Sequence, residues 1–589
     1  MPTISLKKDL LLKALSSEYT DENFAYLCFE YGLELDDITS EKKMLLKEQG
    51  ENAAKEASDD VIYRIDIPAN RYDLLCLEGL SIALLVFQNR MDYPHYKSIL
   101  PSDPKKVQRL HVKPETKQIR PFVVAAVLRD ITFTPESYAS FIDLQDKLHQ
   151  NVGRKRTLVS IGTHDLDTVT GPFTYEALPP EEIKFVPLNQ KREYTAKELM
   201  EFYSTHQQLK QYVGIIKHSP VYPVIKDKNG VILSLPPIIN SEHSKITLNT
   251  KNVFIEITAT DLNKAHVALD TLVTSFSYYC KNTFTSETCE VVWADGSKHR
   301  TPELAYRKEV VNSKKLNKYI GTKIEAGELA SLLTRMCLQA KTTGGSDIIV
   351  KIPPTRHDIL HVVDIYEDAA IAFGYNNILK TFPNTNSVAQ QQPLNKLTDH
   401  LRQQIAQVGF SEILSFTLCS RDDISTKLRK VFDKDSVVQI SNPKTLEFQV
   451  VRTTLIPGLL KSIASNKNAP VPLKIFEISD VVVFHKDAEQ CSKNTRHLCA
   501  VYYDKKAGFE ILHGLLDRIM QLLEIPWSKE GGYYLNGIDD ETFFPKRCAQ
   551  VLLNGKPIGI LGVLHPEVIK GFELKFPCSA LELNVELFV

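Results

Sequence analysis

A nine-residue phrase occurs twice in this chain, 285 positions apart: Ile67-Pro-Ala-Asn-Arg-Tyr-Asp-Leu-Leu75 and Ile352-Pro-Pro-Thr-Arg-His-Asp-Ile-Leu360. A β-rich run precedes each copy (Val61 to Ile65, and Ile348 to Lys351), and an apolar, helix-like segment follows. Pro68 and Pro353 fix φ at the strand exit, and Asp73 and Asp358 stand where an N-cap carboxylate would meet the free amides of a starting helix. Keeping Pro, Arg and Asp in register between matching strand-to-helix patterns marks one strand-turn-helix module used twice.

At 589 residues the chain has room for about four domains, and 43% hydrophobic content supplies each with a core. The 71 basic and 72 acidic residues nearly cancel, to a net charge of -1. Broad polyelectrolyte binding is therefore excluded, and any RNA partner has to be met by local patches or through another subunit. Ten cysteines form no C-x-x-C pair and no zinc-like spacing, as expected of reduced, buried thiols. The opening residues have no signal-like apolar run and no stretch reaches the ~20 apolar residues of a membrane span, so a cytoplasmic protein is expected.

The pattern along the chain predicts an α+β multidomain protein. Residues 1–95 read as a small mixed module with a strand at 3–6, a helix capped near Thr20 and the first phrase; the polar, proline-marked segment 93–106 reads as a linker. Residues 116–290 alternate β-rich runs (122–128, 158–161, 231–233, 253–257) with helices at 137–151 and 261–279. Residues 300–380 carry the second phrase behind a helix at 327–341. After a polar stretch (381–392), residues 390–589 open with a helix at 393–408. Strands near 413–419, 437–440, 475–484 and 498–503 then suggest a mostly antiparallel sheet with flanking helices.

Two constellations are candidates for chemistry. After Arg356 come Asp358, Asp364, Glu367 and Asp368; on a helix starting at Ile359 the last three share one face, a grouping that suits Mg²⁺. An acidic first turn complementing the helix dipole explains the same letters. The second is a set of polar residues among strand residues: Thr163, His164, Asp165 and Asp167 after one run, Ser234 and Asn240 around another, Glu256 and Thr258 within a third. Such residues line a hydrogen-bonding pocket or simply serve turns and strand edges. No Ser/His/Asp elbow, P-loop or zinc signature occurs in the sequence.

These phrases, together with Ile161-Gly-Thr-His-Asp-Leu-Asp167, Pro236-Pro-Ile-Ile-Asn240, Arg452-Thr-Thr-Leu-Ile-Pro-Gly-Leu-Leu460, Phe476-Glu-Ile-Ser-Asp480 and Leu561-Gly-Val-Leu-His-Pro-Glu567, resemble the β subunit of phenylalanine–tRNA ligase of the archaeal/eukaryotic cytosolic type, over essentially the whole chain. The resemblance implies an (αβ)₂ heterotetramer that uses ATP to charge tRNA(Phe), with the synthetic active site on the α subunit. It implies a B1-like module at 1–95, a B3/B4 editing domain at 116–290 that hydrolyses tRNA mischarged with tyrosine, a B5 module at 300–380, and a class II synthetase-like module without catalysis at 390–589. It also implies an editing pocket at Ser234, Asn240, Glu256 and Thr258, and a Mg²⁺ site at Asp358, Asp364, Glu367 and Asp368. A class II catalytic chain needs a Glu-Arg motif within a glycine-rich apolar run. The nearest approach here, Gly514-Leu-Leu-Asp-Arg518, has a helical context and no glycine ladder. Two other readings compete. A nucleic-acid-binding regulator meets the near-zero charge as an objection, and a pure scaffold would lack hydrolysis.

Overall fold

The computed structural model describes residues 2–49, 58–383, 385 and 389–589, so the polar stretch 381–392 lies partly outside it. Two compact units divide the chain, Met1–Phe382 and Pro383–Val589.

The first unit opens with β1 (Thr3–Lys7), α1 (Lys8–Leu15), α2 (Asp21–Tyr31), β2 (Glu34–Ser40), α3 (Glu41–Gln49), β3 (Val61–Asp66) and α4 (Leu77–Phe87). The Thr20 side chain caps α2 by accepting from Asn23 N at 3.2 Å, as the sequence suggested. The larger middle domain follows: β4 (Lys97–Ile99), β5 (Arg109–Val112), β6 (Phe122–Leu128), α5 (Pro135–Gln150), β7 (Val159–Asp165) and β8 (Phe173–Leu178). It continues through β9 (Lys184–Phe185), β10 (Tyr194–Thr195), α6 (Ala196–Ser204), α7 (Lys210–Val213), β11 (Tyr222–Lys226), β12 (Ile232–Leu235) and β13 (Ile239–Asn240). β14 (Val253–Ala259), α8 (Leu262–Phe276), β15 (Thr285–Val292) and β16 (Lys298–Thr301) complete it. Its sheet runs β13-β12-β11-β8-β5-β15-β6-β14-β7, with β4 and β16 also on β15. The segment read as a linker is thus partly structure: Lys97–Ile99 pairs in parallel with β15, and the domain reaches past residue 290 to Thr301. So short a strand hides its pairing in the sequence because the partner lies some 190 residues away.

The second phrase sits in β17 (Arg307–Asn312), α9 (Ser313–Ile320), α10 (Ala326–Arg335), β18 (Gln339–Thr342), β19 (Asp347–Ile352) and α11 (Val362–Phe373). The helix expected over 327–341 therefore ends at Arg335, where Cys337 takes a left-handed φ of 65° and turns the chain into a strand. Apart from α3, the order β-α-α-β-β-α is that of the first module, and the sheets β1-β3-β2 and β17-β19-β18 have one topology. The duplication read from nine residues spans the module.

The copies also pack on each other. α2 lies against α11 and α10 against α4, the exchange of partners of an approximate two-fold arrangement. Arg335 stands between them: it donates to Phe87 O (2.8 Å) and Ala372 O (3.0 Å), the carbonyls at the C-terminal ends of the two equivalent helices, and its guanidinium covers the Phe87 ring at 4.4 Å. One apolar core runs through both modules and the α5/α8 side of the middle domain.

The second unit begins with α12 (Pro393–Gln407) and β20 (Ser411–Glu412), then a two-stranded pair β21 (Leu418–Cys419) and β22 (Val450–Val451), short helix α13 (Arg421–Ile424), and α14 (Ile456–Ser465). β23 (Leu473–Phe484), β24 (Ser492–Tyr503), α15 (Phe509–Leu522), β25 (Tyr533–Gly537), β26 (Phe543–Leu553), β27 (Lys556–Leu564), α16 (Pro566–Gly571) and β28 (Cys578–Asn584) follow. The sheet order is β20-β23-β24-β28-β27-β26-β25, antiparallel except for β20 on β23. The strands expected near 413–419 and 437–440 shrink to a two-residue strand and an isolated bridge at Gln439. Apolar faces on both sides of this sheet bury separate cores under α15 and under α14.

Candidate functional site

Strand β14 positions the centre of the polar constellation. Its side chains alternate: Val253, Ile255, Ile257 and Ala259 enter the α5/α8 core, while Phe254, Glu256 and Thr258 face the other way. Glu256 is 1% exposed. Ser234 on β12 donates to its Oε1 at 2.7 Å, and its Oε2 makes no hydrogen bond. A buried carboxylate oxygen left without a donor is costly. Opposite Glu256 in register on β7 is Gly162, whose hypothetical Cβ would sit 2.0 Å from Oε1. The missing side chain is the space the carboxylate uses.

Glu256 and Asn240 both line a cavity of about 950 Å³, with Gln145 and His149 of α5, Arg156, and Tyr203 and Tyr212 of the α6/α7 segment also on its wall. Asn240 is half-buried and pairs in register with Ser234 across β12 and β13. His149 is held neutral because burial and the neighbouring Arg156 and Arg120 push its pKa well below the usual imidazole range, and its Nε2 accepts from Ile161 N at 2.8 Å. Arg156 stacks on Tyr212 at 4.4 Å and donates through Nη1 to the carbonyls of Pro237 and Ile238, while its Nε makes no hydrogen bond.

The other residues of the constellation divide. Thr258 is wholly buried and is not a wall residue: Arg120 Nε donates to its Oγ1 (3.3 Å) and Arg120 Nη2 to its carbonyl (2.9 Å). Placing it in the pocket is corrected on that ground, since its hydroxyl is spent on a buried guanidinium. His164 lies on β7 with Nε2 3.7 Å from Glu256 Oε1, and its Nδ1 meets Ser244 Oγ at 2.8 Å. Asp165 accepts from Thr250 Oγ1 (2.6 Å) and Asp167 from Asn252 Nδ2 (2.9 Å), so both fasten a loop. Sequence reasoning misses Arg156, Tyr212 and Gln145 because nothing in their local spacing marks them; residues 145 and 212 meet only in the fold.

The four carboxylates after Arg356 are also split. Arg356, 1% exposed, donates to Asp358 through Nε (3.0 Å) and Nη2 (2.8 Å) and to Asp368 through Nη2 (2.7 Å), and its Nη1 reaches Met336 O at 2.6 Å. The first copy has the same two-point bond from Arg71 to Asp73 (2.9 and 2.8 Å). Asp73 and Asp358 are thus ion-pair partners rather than N-caps; the caps are Cys76 and His361. The helix starts at Val362, not Ile359, and Asp364 closes its capping box by accepting from Leu360 N and His361 N, both at 2.8 Å. Glu367 is exposed. Among the described residues no three His, Cys, Asp or Glu side chains converge as a ligand set. As a four-carboxylate cage the set does not fit Mg²⁺.

Arg71 lies within electrostatic reach of Asp358, so the two phrases meet in one buried cluster of two guanidiniums and three carboxylates. Burial pushes Asp368 up to about 6, only partly offset by Arg356. Burial acts the same way on Asp358, but its two-point bond to Arg356 wins and holds it down at about 2. One negative charge in excess explains why the deepest carboxyl takes the proton more readily.

In the second unit, Arg452 is buried and ion-paired: Nη1 donates to Glu477 Oε1 (2.8 Å) and Ser415 Oγ (3.0 Å), and Nε to Asp480 O (3.0 Å).

Four family models match: the Phe-tRNA synthetase beta subunit B1 domain over residues 1–90, the B3/4 domain over 104–290, the tRNA synthetase B5 domain over 310–375, and the phenylalanyl tRNA synthetase beta chain CLM domain over 378–585. Over the full length of both chains, the sequence is 60% identical to the phenylalanine–tRNA ligase beta subunit of Drosophila melanogaster and 57% identical to that of Homo sapiens; against the cytoplasmic beta subunit of Arabidopsis thaliana the figure is 47%. Among solved structures, an N-terminal fragment of the phenylalanyl-tRNA synthetase beta subunit from Pyrococcus horikoshii matches with a TM-score of 0.55 and 29% identity, covering 63% of this chain and 99% of that one.

Proposed function

The chain belongs to the phenylalanine–tRNA ligase β-subunit family, and from that premise we propose that it acts in the cytoplasm as the non-synthetic half of an (αβ)₂ ligase and carries the editing hydrolase for tRNA(Phe) mischarged with tyrosine. The observation that carries the editing reading is the buried Glu256, one oxygen held by Ser234 and the other without a partner, at a cavity large enough for an aminoacyl-adenosine. Tyrosine differs from phenylalanine by a hydroxyl, and an apolar synthetic pocket rejects such an isostere only about a hundredfold, so a second site has to recognise the phenol. Glu256 Oε2 accepts the phenolic O–H. Asn240 orients a water at the ester carbonyl; the water adds there, the ester C–O bond breaks, and the tRNA ribose oxygen leaves with a proton from that water. His149, neutral and already bonded to Ile161 N, is no base for this step, so positioning does most of the work.

The synthetic step, with its ATP, falls to the α subunit in this reading. That division is supported by Arg452, whose Nε and Nη1 are committed within the chain to Asp480, Ser415 and Glu477. The chain without its α partner is expected to show no phenylalanine-dependent ATP–pyrophosphate exchange, while the assembled ligase shows it; exchange by the isolated chain would overturn the division.

For magnesium, a hydrated ion needs only one or two carboxylates. The pair left over after Arg356 has taken Asp358 and Asp368 is Asp364 and Glu367, one turn apart on α11. The double variant Asp364→Asn, Glu367→Gln is expected to lose Mg²⁺ heat in a calorimetric titration of the full chain, with little effect on editing. Unchanged heat would leave Asp364 with its capping role alone.

A further inference from the structure

Eight buried side-chain nitrogen or oxygen atoms among the described residues make no hydrogen bond, and they are not scattered. Three belong to the wall of the editing cavity: Arg156 Nε, Tyr203 Oη and Glu256 Oε2. Two more, Asp270 Oδ1 and His357 Nε2, belong to the wall of a second cavity of about 750 Å³ between α8 and the second repeated phrase. Asp270 is 8% exposed, and its Oδ2 lies 3.1 Å from His357 Nε2. Phe122, Trp293 and His299 supply the aromatic surface, Trp293 standing edge-on to Phe122 (6.2 Å) and to His299 (6.3 Å). Arg300 adds a cation and His266 an imidazole to the same wall. His357 occupies the one phrase position between the paired Arg and Asp; the first copy has Tyr72 there, so this position is free to differ while Arg–Asp pairing is kept.

We propose that this second cavity binds a nucleotide unit whose base carries an amino group, the base lying on Trp293 and giving an N–H to Asp270 Oδ1, with its phosphate toward Arg300. An ionised carboxylate only accepts, so the ligand must bring the donor. A flat π face suits the indole, and an anionic tail suits Arg300, which shares the wall with Asp270, Asp295 and Glu303. An aromatic amino acid has the same three features in smaller form, but it leaves much of 750 Å³ unfilled. The source is either an unpaired base of tRNA or a free nucleotide, and the chemistry is common to both. This site is independent of the editing reading.

The probe is the 5′-monophosphate of 2-aminopurine riboside, whose fluorescence is excited beyond tryptophan absorption and is quenched by stacking, titrated into the assembled ligase. Quenching is expected, with affinity falling about tenfold in Asp270→Asn and in Trp293→Leu, the size of one lost charged hydrogen bond or one lost stack. Cytidine monophosphate is expected to displace the probe and uridine monophosphate, which lacks the amino group, to displace it poorly. Displacement by tRNA at far lower concentration than by mononucleotides identifies an RNA base; the reverse order identifies a free nucleotide. Parental quenching in both variants, equal competition by the two pyrimidines, or displacement by free phenylalanine or tyrosine alone would overturn the proposal. Unchanged phenylalanine charging by both variants excludes global misfolding.

Discussion

Glu256→Ala in the assembled ligase is expected to slow deacylation of Tyr-tRNA(Phe) by roughly a hundredfold, the upper scale of one lost hydrogen bond to a charged group, and to leave phenylalanine charging near parental. The carboxylate has one free acceptor, Oε2, and Ser234 fixes the other oxygen. Glu256→Gln keeps the shape but presents an amide in place of an obligatory acceptor and is expected to lose most of the same activity. Gly162→Ala provides an independent check, because it removes no functional group. Its methyl would stand 2.0 Å from Oε1, so the carboxylate has to leave its place. All three variants are measured by deacylation of preformed Tyr-tRNA(Phe). Parental deacylation by both Glu256→Ala and Gly162→Ala would refute the role given to this carboxylate.

The largest loss of stability is expected from Arg356→Ala. Removing one partner of a buried ion pair costs about 3–5 kcal/mol, because the charge left behind has neither water nor a counter-ion. Here two carboxylates, Asp358 and Asp368, are left behind together. The pH dependence has a definite sign in the parent. Asp358, lowered to about 2, contributes stability that is present above its ordinary value of 3.8 and is lost as pH falls toward 2. Asp368, raised to about 6, contributes stability that is present below 3.8 and is lost as pH rises through 6. Without Arg356 both carboxyls favour their protonated forms, so the defect should shrink as pH falls below about 6. Thermal unfolding followed across that range measures it. The triple variant Arg356→Met, Asp358→Asn, Asp368→Asn should recover most of the loss; a defect independent of pH and of the two Asn changes would place the cost in packing alone.

What is legible in the sequence follows from the range of the interactions involved. The repeated phrase exposes the duplication because strand exit, arginine and aspartate are local, and Ser234 and Glu256 stand out because polar residues in strands need a reason. Asp73 and Asp358 mislead because a carboxylate two residues after an arginine has two nearby claimants, the guanidinium and the helix amides, and only the fold decides between them. The same guanidinium dismantles the four-ligand metal set. Thr258 has the right strand parity for the pocket, yet Arg120, 138 positions earlier, takes its hydroxyl. At the domain edge, Lys97–Ile99 is too short to announce itself as a strand, and its partner β15 lies beyond any local window.

The exchange of helices between the two copies gives the chain a timing problem. Each module offers a face that only its sister fits, and the sister of the first is synthesised 285 residues later. At the usual rate of translation that gap is roughly 15 to 60 seconds. Through that interval the newborn amino-terminal module holds a buried-type arginine and the apolar sides of two helices with no mate, long after its own strands have emerged. Completion of this region therefore waits on translation rather than on any step of folding, and a nascent chain that stalls before α11 presents a half-dimer interface to whatever else is near, including the same module on a neighbouring ribosome.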